Sequence, residues 1–523
     1  MGCSCGRALD IGEISRNQYI PHRPLLLSDD WREQQLETRR MNKDTKDAHL
    51  KFSRGSNSAY SGYEKTAVPP HDPELTETDP GSPMGEYMRR FWQPVCLSEE
   101  LTDVPRAIRI LGEDLVAFRD KSGSIGVLHR HCAHRGASLE YGIIQETGIR
   151  CCYHGSEWNV DGTLITAPGE PDGGARMAKS VSQGAYPAFE RFGMVFAYMG
   201  PFAEMPEFPE WEFFHNYDDL EIVSYNNIYP CNWLQVFDNI PDQFHTAQLH
   251  SPTMRVIGDD DDGSYPATAF NPVFAQLPVL EYASVRDDSA MVFIAGRRVG
   301  TDKVWVRIGD SILPNITLHA YASEDGRDVR YFHRVFMSRW YVPVDNENSI
   351  VFGLRMFGPS IDLFNTGDKS KCGYDKADFL DGQTGQRPRE AAQRMPGDWD
   401  AVTSQRRIAI HAMEKPMRED VGVFMNRRNL RRAIRGENPG ARPEIIHRRT
   451  NAGQRDYVYT NNTILGIPIQ DDRDDEDLIR EVCKKVLEIC EAGDAYEGEE
   501  RDAFIENALK DYESSYSAVA AAE

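Results

Sequence analysis

Two short segments, Cys132-Ala133-His134 and Cys151-Cys152-Tyr153-His154, separated by sixteen residues, carry the strongest structural signal in this chain. Each segment offers one thiolate and one imidazole, so the four side chains can be shared between two metal ions. A Cys2His2 zinc site is the main alternative. Such a site normally pairs Cys with Cys and His with His at short spacing, whereas this chain alternates Cys, His, Cys, His.

The alternation is typical of a Rieske two-iron two-sulfur centre, in which two cysteines hold one iron and two histidines hold the other. The first segment supplies Cys132 and His134 as candidate ligands. The second supplies His154 and one of two adjacent cysteines, and the two-residue spacing to His154 favours Cys151 over Cys152.

The residues around the two segments predict antiparallel hairpins. Residues 106–120 read RAIRILGEDLVAFRD, in which apolar residues largely alternate on either side of a turn at Gly112-Glu113-Asp114. Gly136 and Gly155 follow closely on the two candidate histidines. Small residues there let backbone amides approach the sulfurs, and such hydrogen bonds influence the potential of a cluster.

A second group of candidate ligands lies about eighty residues downstream. Steps of four and three residues place Asp238, Asp242 and His245 on one face of a predicted helix. His250 is five residues beyond His245, roughly 140° around an ideal helix, so both imidazoles reach one metal only if the helix widens or ends between them. Ser251-Pro252 stops the helix directly afterwards.

Two histidines and one carboxylate from elsewhere in the chain form the facial triad of non-haem iron(II) oxygenases. The motif Asp-x2-His-x4-His is only moderately specific by itself, and a pair of structural histidines is the alternative interpretation. Its position behind a candidate Rieske motif favours the iron site.

With these motifs, the chain resembles the Rieske non-haem iron oxygenases, specifically the phthalate-dioxygenase-like oxygenase (alpha) components. The likeness extends roughly from Pro83 to Gly436. It includes five further stretches, at residues 85–92, 111–119, 134–139, 153–155 and 193–200.

The resemblance implies site residues one by one. Cys132, His134, Cys151 and His154 match the cluster ligands, and two histidines and one aspartate match the iron ligands: His245, His250 and Asp398. The aspartate lies in the segment 396–401, where Pro-Gly ahead of an acidic residue predicts a helix start. Asp400 is the alternative ligand, and either aspartate could instead cap the helix.

The resemblance also implies a role for Asp242, which in the family connects a histidine of the iron site to a Rieske histidine of the neighbouring subunit. Here His154 of one chain would meet Asp242 of the next. A head-to-tail interface that closes on itself generates a ring, so the expected assembly is a homotrimer, or two such trimers stacked in a pair.

The chain departs from the family pattern at a few positions. The family usually has Pro after the second cluster cysteine and Trp after the following His-Gly, where this chain has Cys152 and Ser156. Trp158 comes two residues later and can fill the same space. Asp238 stands where Glu is common.

The expected fold class is α+β. An N-terminal antiparallel β Rieske domain precedes a catalytic domain in which an antiparallel sheet wraps around helices, as in a helix-grip fold. We predict four segments: a polar, partly ordered extension at 1–75, the Rieske domain with its leading helix at 76–205, the catalytic iron domain at 206–470, and an acidic helical tail at 471–523.

Composition limits the classes of partner. The net charge of −23 argues against nucleic acid, and no apolar run approaches the eighteen or so residues needed to span a bilayer. Residue 6 is Gly, so the N-terminal myristoylation pattern fails. Ten cysteines without a signal peptide suit a reducing compartment, which predicts a cytoplasmic protein without membrane attachment.

The function that the resemblance implies is that of an oxygenase component. It would use O2, and electrons from NAD(P)H delivered by a separate reductase of the flavin and ferredoxin type, to dihydroxylate, monohydroxylate or demethylate an aromatic or polycyclic small molecule. A Rieske-type electron-transfer protein with a non-catalytic C-terminal domain is the alternative. Phe293, Phe332 and His333 are candidate pocket residues, with ordinary core packing as the alternative.

Two charged stretches lie outside these motifs. Asp259-Asp260-Asp261-Asp262-Gly263 does not match the spacing of an EF-hand calcium loop and is interpreted as a solvated loop near the active-site entrance. Five arginines between residues 427 and 435 predict ion pairs at an interface rather than nucleic-acid binding.

Overall fold

The computed structural model describes residues 62, 65–215, 219–250, 273–274, 276–321, 324, 326–444, 446 and 457–520, with backbone alone for 517–520. The chain divides into two units, Met1–Pro69 and Pro70–Glu523, and all the α-helices and β-strands described belong to the second. Most of the predicted extension at 1–75 and the acidic loop at 259–263 lie outside the described residues.

Nine helices are described. They are α1 Pro73–Thr76, α2 Pro83–Met88, α3 Trp233–Asp238, α4 Phe244–Leu249, α5 Arg389–Arg394, α6 Asp398–Thr403, α7 Val421–Ile434, α8 Asp475–Ala492 and α9 Gly498–Ala520.

The N-terminal part of the unit consists of short antiparallel strands. They are β1 Gln93–Leu97, β2 Arg106–Ile110, β3 Glu113–Arg119, β4 Ile125–His129, β5 Ile143–Ile144, β6 Ile149–Arg150, β7 Glu157–Trp158, β8 Leu164–Thr166, β9 Ala185–Tyr186, β10 Ala188–Arg191 and β11 Met194–Ala197. They form three sheets, in the orders β1-β11-β10, β2-β3-β4-β9 and β5-β6-β7-β8.

The β2–β3 hairpin was predicted from sequence, but its turn lies slightly earlier than expected. Leu111 and Gly112 connect the strands with φ values of 49° and 78°, and β3 already begins at Glu113. Positive φ at both central residues of a two-residue loop is the twist that antiparallel hairpins favour. The backbone amides of Leu111 and Gly112 donate to the carbonyls of Pro343 and Val344, and so attach the hairpin to the larger sheet.

The C-terminal part is built on one nine-stranded antiparallel sheet. Its strands are β12 Glu221–Tyr229, β13 Val279–Val285, β14 Ala290–Val299, β15 Lys303–Ile312, β16 Ile316–Ala320, β17 Arg330–His333, β18 Val335–Asp345, β19 Asn348–Phe357 and β20 Asn461–Leu465. The order is β12-β19-β18-β16-β15-β14-β13, and β20 pairs with both β15 and β17.

Alternation along β13 shows that both faces of this sheet are covered by helices. Tyr282 and Ser284 point to one face, where the Tyr282 hydroxyl donates to the carbonyl of Pro241 and Ser284 bonds Asn429 of α7. Glu281 points to the other face and pairs with Arg480 of α8. We call the first of these the site face. The mixed α+β architecture predicted from sequence is therefore confirmed.

The arginine-rich stretch forms ion pairs, as predicted, and those described here join parts of the same chain. Arg427 of α7 pairs with Asp238 and Glu414. Arg431 and Arg435 pair with Glu74 of α1. These contacts attach the first described helix to the C-terminal part of the chain.

The two C-terminal helices also pack on the sheet. α8 lies against β13, β14 and β15, and α9 lies against β17. Arg501 of α9 is fully buried and donates to Glu212, which lies in the segment that leads into the C-terminal part. No helix among the described residues is long and apolar enough to cross a bilayer.

Candidate active site

The two Cys-His segments fold into matching loops. In the first, the Cys132 carbonyl accepts from the amide of Gly136, and the Cys132 amide donates to Ala137. In the second, the Cys151 carbonyl accepts from the amide of Gly155, and the Cys151 amide donates to the carbonyl of Ser156. Gly136 and Gly155 have φ values of 76° and 77°, a conformation that glycine adopts without strain. The backbone therefore requires the two glycines at these positions.

The donor atoms of the loops face one another. Cys132 and Cys151 are buried, and burial raises the pKa of the Cys132 thiol. His134 and His154 are exposed, with ring centroids 4.6 Å apart. Two buried sulfurs beside two outward-facing imidazoles form a donor set that suits a cluster with a cysteine-held and a histidine-held iron. Cys152 is exposed.

Two side chains support the loops beyond what the sequence indicated. Trp158, predicted only to fill space, is buried and donates from Nε1 to Sγ of Cys132 at 3.4 Å. Gln183 accepts from the amide of Ala133 at 2.7 Å and donates to the carbonyls of His129 and His131. Gln183 lies 50 residues from the loop that it supports, and no local pattern marks it.

The helix predicted to carry Asp238, Asp242 and His245 is interrupted. Asp238, Asp242 and His245 do not share one helix, because α3 ends at Asp238 and α4 begins at Phe244. The turn between them contains Pro241, which lacks an amide hydrogen and cannot continue a helix interior. α4 then ends at Leu249, so His250 follows the helix in a non-helical conformation. Of the two predicted possibilities, the helix ends between His245 and His250 and does not widen.

His245, His250 and Asp398 come together at one point. Their candidate ligand atoms all lie within 4.8 Å of one another. Oδ1 of Asp398 is 3.4 Å from Nε2 of His245 and 3.2 Å from Nε2 of His250. Two imidazole nitrogens and one carboxylate oxygen at this spacing match the donor set of a 2-His-1-carboxylate iron site.

Asp398 is the first residue of α6, and its carboxylate is held from two directions. Asn239 donates to its Oδ1 at 3.0 Å, and Gln383 donates to its Oδ2 at 2.5 Å. Burial acts to raise the pKa of Asp398, but the charges and hydrogen bonds of His250 and His245 outweigh it and hold the pKa well below its usual range. The carboxylate is therefore ionised, as a metal ligand must be.

Asp400, the alternative ligand, is engaged elsewhere. Its Oδ2 accepts from the amide of Gly397 at 2.9 Å, which caps the start of α6, and it also pairs with Arg387. The geometry brings Asp398, and not Asp400, next to the two histidines.

Asp242 is half-buried and lies two residues before the start of α4. Its carboxylate accepts from the amides of Phe244 and His245, while its backbone carbonyl accepts from Nδ1 of His245. The backbone carbonyl of Asp242 therefore orients the imidazole of His245. A hydrogen bond at Nδ1 fixes the tautomer that leaves Nε2 free to bind a metal.

The three candidate pocket residues have different neighbours in the structure. Phe293 lies on the site face of β14, opposite Gly309 of β15. Phe332 packs against Arg334 and Arg501. The ring of His333 bonds the carbonyl of Ser360.

Comparison with known proteins identifies the family of this chain. Residues 91–183 match the model of the Rieske [2Fe-2S] domain. The oxygenase subunit of the tert-butanol monooxygenase / tert-amyl alcohol desaturase of Aquincola tertiaricarbonis is 46% identical over 465 residues, which cover 88% of this chain and 98% of that protein. The phenoxybenzoate dioxygenase subunit alpha of Ectopseudomonas oleovorans is 32% identical over 403 residues, which cover 74% of this chain and 91% of that protein.

The chain belongs to the oxygenase subunits of the Rieske non-haem iron oxygenases. It is an oxygenase component, and a Rieske [2Fe-2S] cluster and a mononuclear iron are its cofactors. A shorter match fits the same family: the phthalate 4,5-dioxygenase oxygenase subunit of Pseudomonas putida is 40% identical over 182 residues, covering 34% of this chain and 40% of that protein. As in the rest of the family, electrons from NAD(P)H reach the oxygenase through a separate reductase.

Proposed function

We propose that this chain hydroxylates an aromatic or polycyclic small molecule at an iron held by His245, His250 and Asp398, and that Cys132, His134, Cys151 and His154 hold the cluster. The observation that carries this proposal is the meeting of two imidazoles and one ionised carboxylate within 4.8 Å. A pure electron carrier needs no such set, so the geometry favours the oxygenase over the electron-transfer alternative.

Each group has a separate chemical task. The cluster supplies single electrons and the mononuclear iron(II) supplies oxygen activation. The chain positions the donors: the Asp242 carbonyl holds the tautomer of His245, and Asn239 and Gln383 fix both oxygens of Asp398. The hydrogen bond from Trp158 stabilises charge on the Cys132 sulfur.

We further propose a head-to-tail homotrimer in which His154 of one copy meets Asp242 of the next. The exposure of His154 supports this arrangement, since the cluster then faces outward. Arg135 adds positive charge beside His154. Burial, together with the charges of Asp242 and Glu419, raises the pKa of Asp420, so these three carboxyl groups lie near one another. Attraction between Arg135 and these carboxyl groups would favour the contact.

The names of the relatives indicate the kinds of substrate that related oxygenases accept. One acts on tert-butanol and tert-amyl alcohol, and others act on phenoxybenzoate and phthalate. We propose an aromatic substrate for this chain.

We also propose that the protein acts in the cytoplasm, where a reductase can supply it with electrons from NAD(P)H.

The proposal is tested with labelled dioxygen. The oxygenase, supplied with a ferredoxin and its reductase, is incubated with phthalate, 3-phenoxybenzoate or tert-butanol, and products are analysed for one or two labelled oxygens. We expect label in an aromatic product from the wild-type protein and from Asp400→Asn, and none from Asp398→Asn. Label incorporation by Asp398→Asn at the wild-type rate would contradict the assigned site.

A further inference from the structure

Two arginines on the site face of the large sheet are buried without an acidic partner. Arg307 on β15 and Arg339 on β18 are 3% and 5% exposed, and the register of β15, β16 and β18 places both on this face. Arginine is rarely buried to this extent unless it is paired, and Arg355 on the same face does pair with Asp378 at 3.2 Å. Among the described residues, the hydrogen-bond acceptors of Arg307 and Arg339 are neutral groups.

Arg339 bonds the amide oxygen of a buried glutamine. Its Nη2 donates to Oε1 of Gln383 at 3.3 Å, and its Nε donates to the hydroxyl of Tyr225 at 2.9 Å. Gln383 in turn donates from Nε2 to Oδ2 of Asp398, and its backbone carbonyl accepts from the hydroxyl of Tyr229. One amide therefore connects the guanidinium of Arg339 to the iron-site carboxylate. We call Arg339 and Gln383 the β18 pair.

Arg307 is attached in the same way to the segment that leads into α4. Its Nη1 donates to Oε1 of Gln243 at 3.0 Å, and Nε2 of Gln243 donates to the carbonyl of Ile240 at 2.7 Å. Arg297, beside Arg307 in the sheet, reaches the same segment through Oγ1 of Thr246, which donates to the carbonyl of Gln243. We call Arg307 and Gln243 the β15 pair.

The turn between α3 and α4 carries two supports of the iron site. Asn239 donates to Oδ1 of Asp398, and the backbone carbonyl of Asp242 accepts from Nδ1 of His245. The side chain of Gln243 closes this turn through its hydrogen bond to the backbone. The β15 pair therefore fixes the segment that supplies both supports.

The chemistry at the two ends of each pair requires an amide between them. A guanidinium only donates hydrogen bonds, and a carboxylate or a backbone carbonyl only accepts them. A glutamine side chain offers an acceptor to the first and a donor to the second, whereas glutamate or lysine would leave one end unmatched. In both pairs the amide oxygen faces the arginine and the amide nitrogen faces the iron-site segment.

We propose that Arg307 and Arg339 are positioning residues of the iron site. Each acts through its glutamine: the β18 pair orients the carboxylate of Asp398, and the β15 pair orients the turn that supports Asp398 and His245. Outer partners of this kind set the geometry and the affinity of a metal site. The inference rests on the proposed function, since it concerns an iron bound by the three assigned ligands.

The charge of the arginines and their positioning role predict opposite effects on iron binding. A buried positive charge repels iron(II), so removing the charge alone would tighten binding. Loss of an oriented glutamine would weaken binding. The direction of the change in iron(II) affinity therefore separates the two effects.

The test is the iron(II) affinity of the mononuclear site, measured by competition with a chelator on the full chain with its cluster in place. Arg307→Met and Arg339→Met should each weaken binding about 10- to 100-fold, the usual cost of losing an outer partner of a metal ligand. Arg298→Met is the matched control, because Arg298 is also on the large sheet but pairs with Asp475, and it should bind iron as the wild type does. Unchanged or tighter binding in both methionine variants would overturn the proposal, and in one of them would remove that arginine from it.

A double-mutant cycle shows whether each effect passes through the glutamine. If Arg339 acts through Gln383, adding Arg339→Met to Gln383→Leu should weaken iron binding no further. The same applies to Arg307→Met in a Gln243→Leu background. Additive losses in both cycles would mean that the arginines only support the fold, and would overturn the proposal.

Lysine variants and a spectroscopic signature keep the test decisive if a methionine variant folds poorly. Lysine keeps the charge but lacks the planar fork that reaches two acceptors, so Arg307→Lys and Arg339→Lys should still bind iron(II) more weakly than the wild type. EPR of the nitric oxide adduct of the mononuclear iron reports the ligand geometry, and its rhombicity should change in the lysine variants but not in Arg298→Met. Wild-type affinity and line shape in both lysine variants would contradict the positioning role.

Iron and sulfide contents of the wild-type protein report on the proposed function separately. A wild-type protein that holds the cluster but no mononuclear iron contradicts the proposed function. A wild-type protein with both centres, whose arginine variants bind iron(II) equally well, contradicts the positioning role alone.

Discussion

The two ligand sets of this chain are built in opposite ways. The four cluster residues lie within 23 consecutive positions, on two loops with the same hydrogen-bond pattern, and the histidines face outward. The three iron-site residues are drawn from segments 148 positions apart, and Asp398 is buried. The first set depends on local backbone geometry, whereas the second depends on the packing of α4 and α6 beneath the large sheet.

This difference predicts that each centre can be removed while the other remains. A local loop can lose a ligand without disturbing the sheet, and a buried carboxylate can be changed without altering the loops. The substitutions below test that independence, in order of decreasing effect.

The largest effect is expected from Cys151→Ser. Because a Rieske cluster needs two thiolates on one iron, the variant should lose its acid-labile sulfide and keep about one iron per chain at the mononuclear site. Cys152→Ser is the control and should keep both centres. If Cys152→Ser lost its sulfide instead, Cys152 rather than Cys151 would be the cluster ligand.

Asp242→Asn tests the connection between the centres. The variant should keep its full iron and sulfide content, because the carbonyl that orients His245 is unchanged. Turnover should fall about 10- to 100-fold or more, the usual cost of losing a supporting side chain at a metal site. The rate of electron transfer from the cluster to the mononuclear iron is measured by mixing the reduced protein with dioxygen and substrate and monitoring oxidation of the cluster by stopped-flow absorbance. Unchanged kinetics would argue against the proposed path through His154 and Asp242.

Gln383→Leu tests the support of the iron-site carboxylate. Gln383 connects Oδ2 of Asp398 to the guanidinium of Arg339, so its loss should weaken iron(II) binding about 10- to 100-fold. Competition with a chelator measures the affinity, and the cluster spectrum should not change. Gln386→Leu, at a side chain that bonds Asp375, is the control. Equal iron(II) affinity in both variants would show that Gln383 makes no specific contribution to iron binding.

The smallest effect is expected at the cluster, from Trp158→Phe. Removing the donor to Cys132 costs about one hydrogen bond, or roughly 1 kcal/mol, and should lower the reduction potential by about 40 mV for a one-electron couple. Protein-film voltammetry provides the value. Trp92→Phe, at an indole that donates to Pro206, should leave the potential unchanged, and a similar shift in both variants would mean that Trp158 has no specific effect on the cluster.

The sequence predicted the local features well. The alternation of Cys and His defined the loops, and the Pro-Gly-Asp signal placed the start of α6 at Asp398. Two local features differ from those that the sequence pattern predicts. Pro241 breaks the helix that was drawn from Asp238 to His245, and the β2–β3 turn falls on Leu111 and Gly112.

Long-range contacts could not be read from the sequence. Gln183 and Gln383 lie on irregular segments, and the residues that they support are 50 and 15 positions away. Arg297 and Arg307 look like ordinary strand residues until the register of β14 and β15 places them on one buried face. Such contacts depend on tertiary packing, for which neither spacing nor composition carries a signal.

The presence of two independent metal centres is tested most directly by iron and acid-labile sulfide analysis, combined with low-temperature EPR of protein reduced anaerobically by dithionite. Two independent centres predict a rhombic Rieske signal with about three irons and two sulfides per chain. The Rieske signal with only about two irons would contradict the mononuclear site at His245, His250 and Asp398. Zinc without sulfide would contradict both centres.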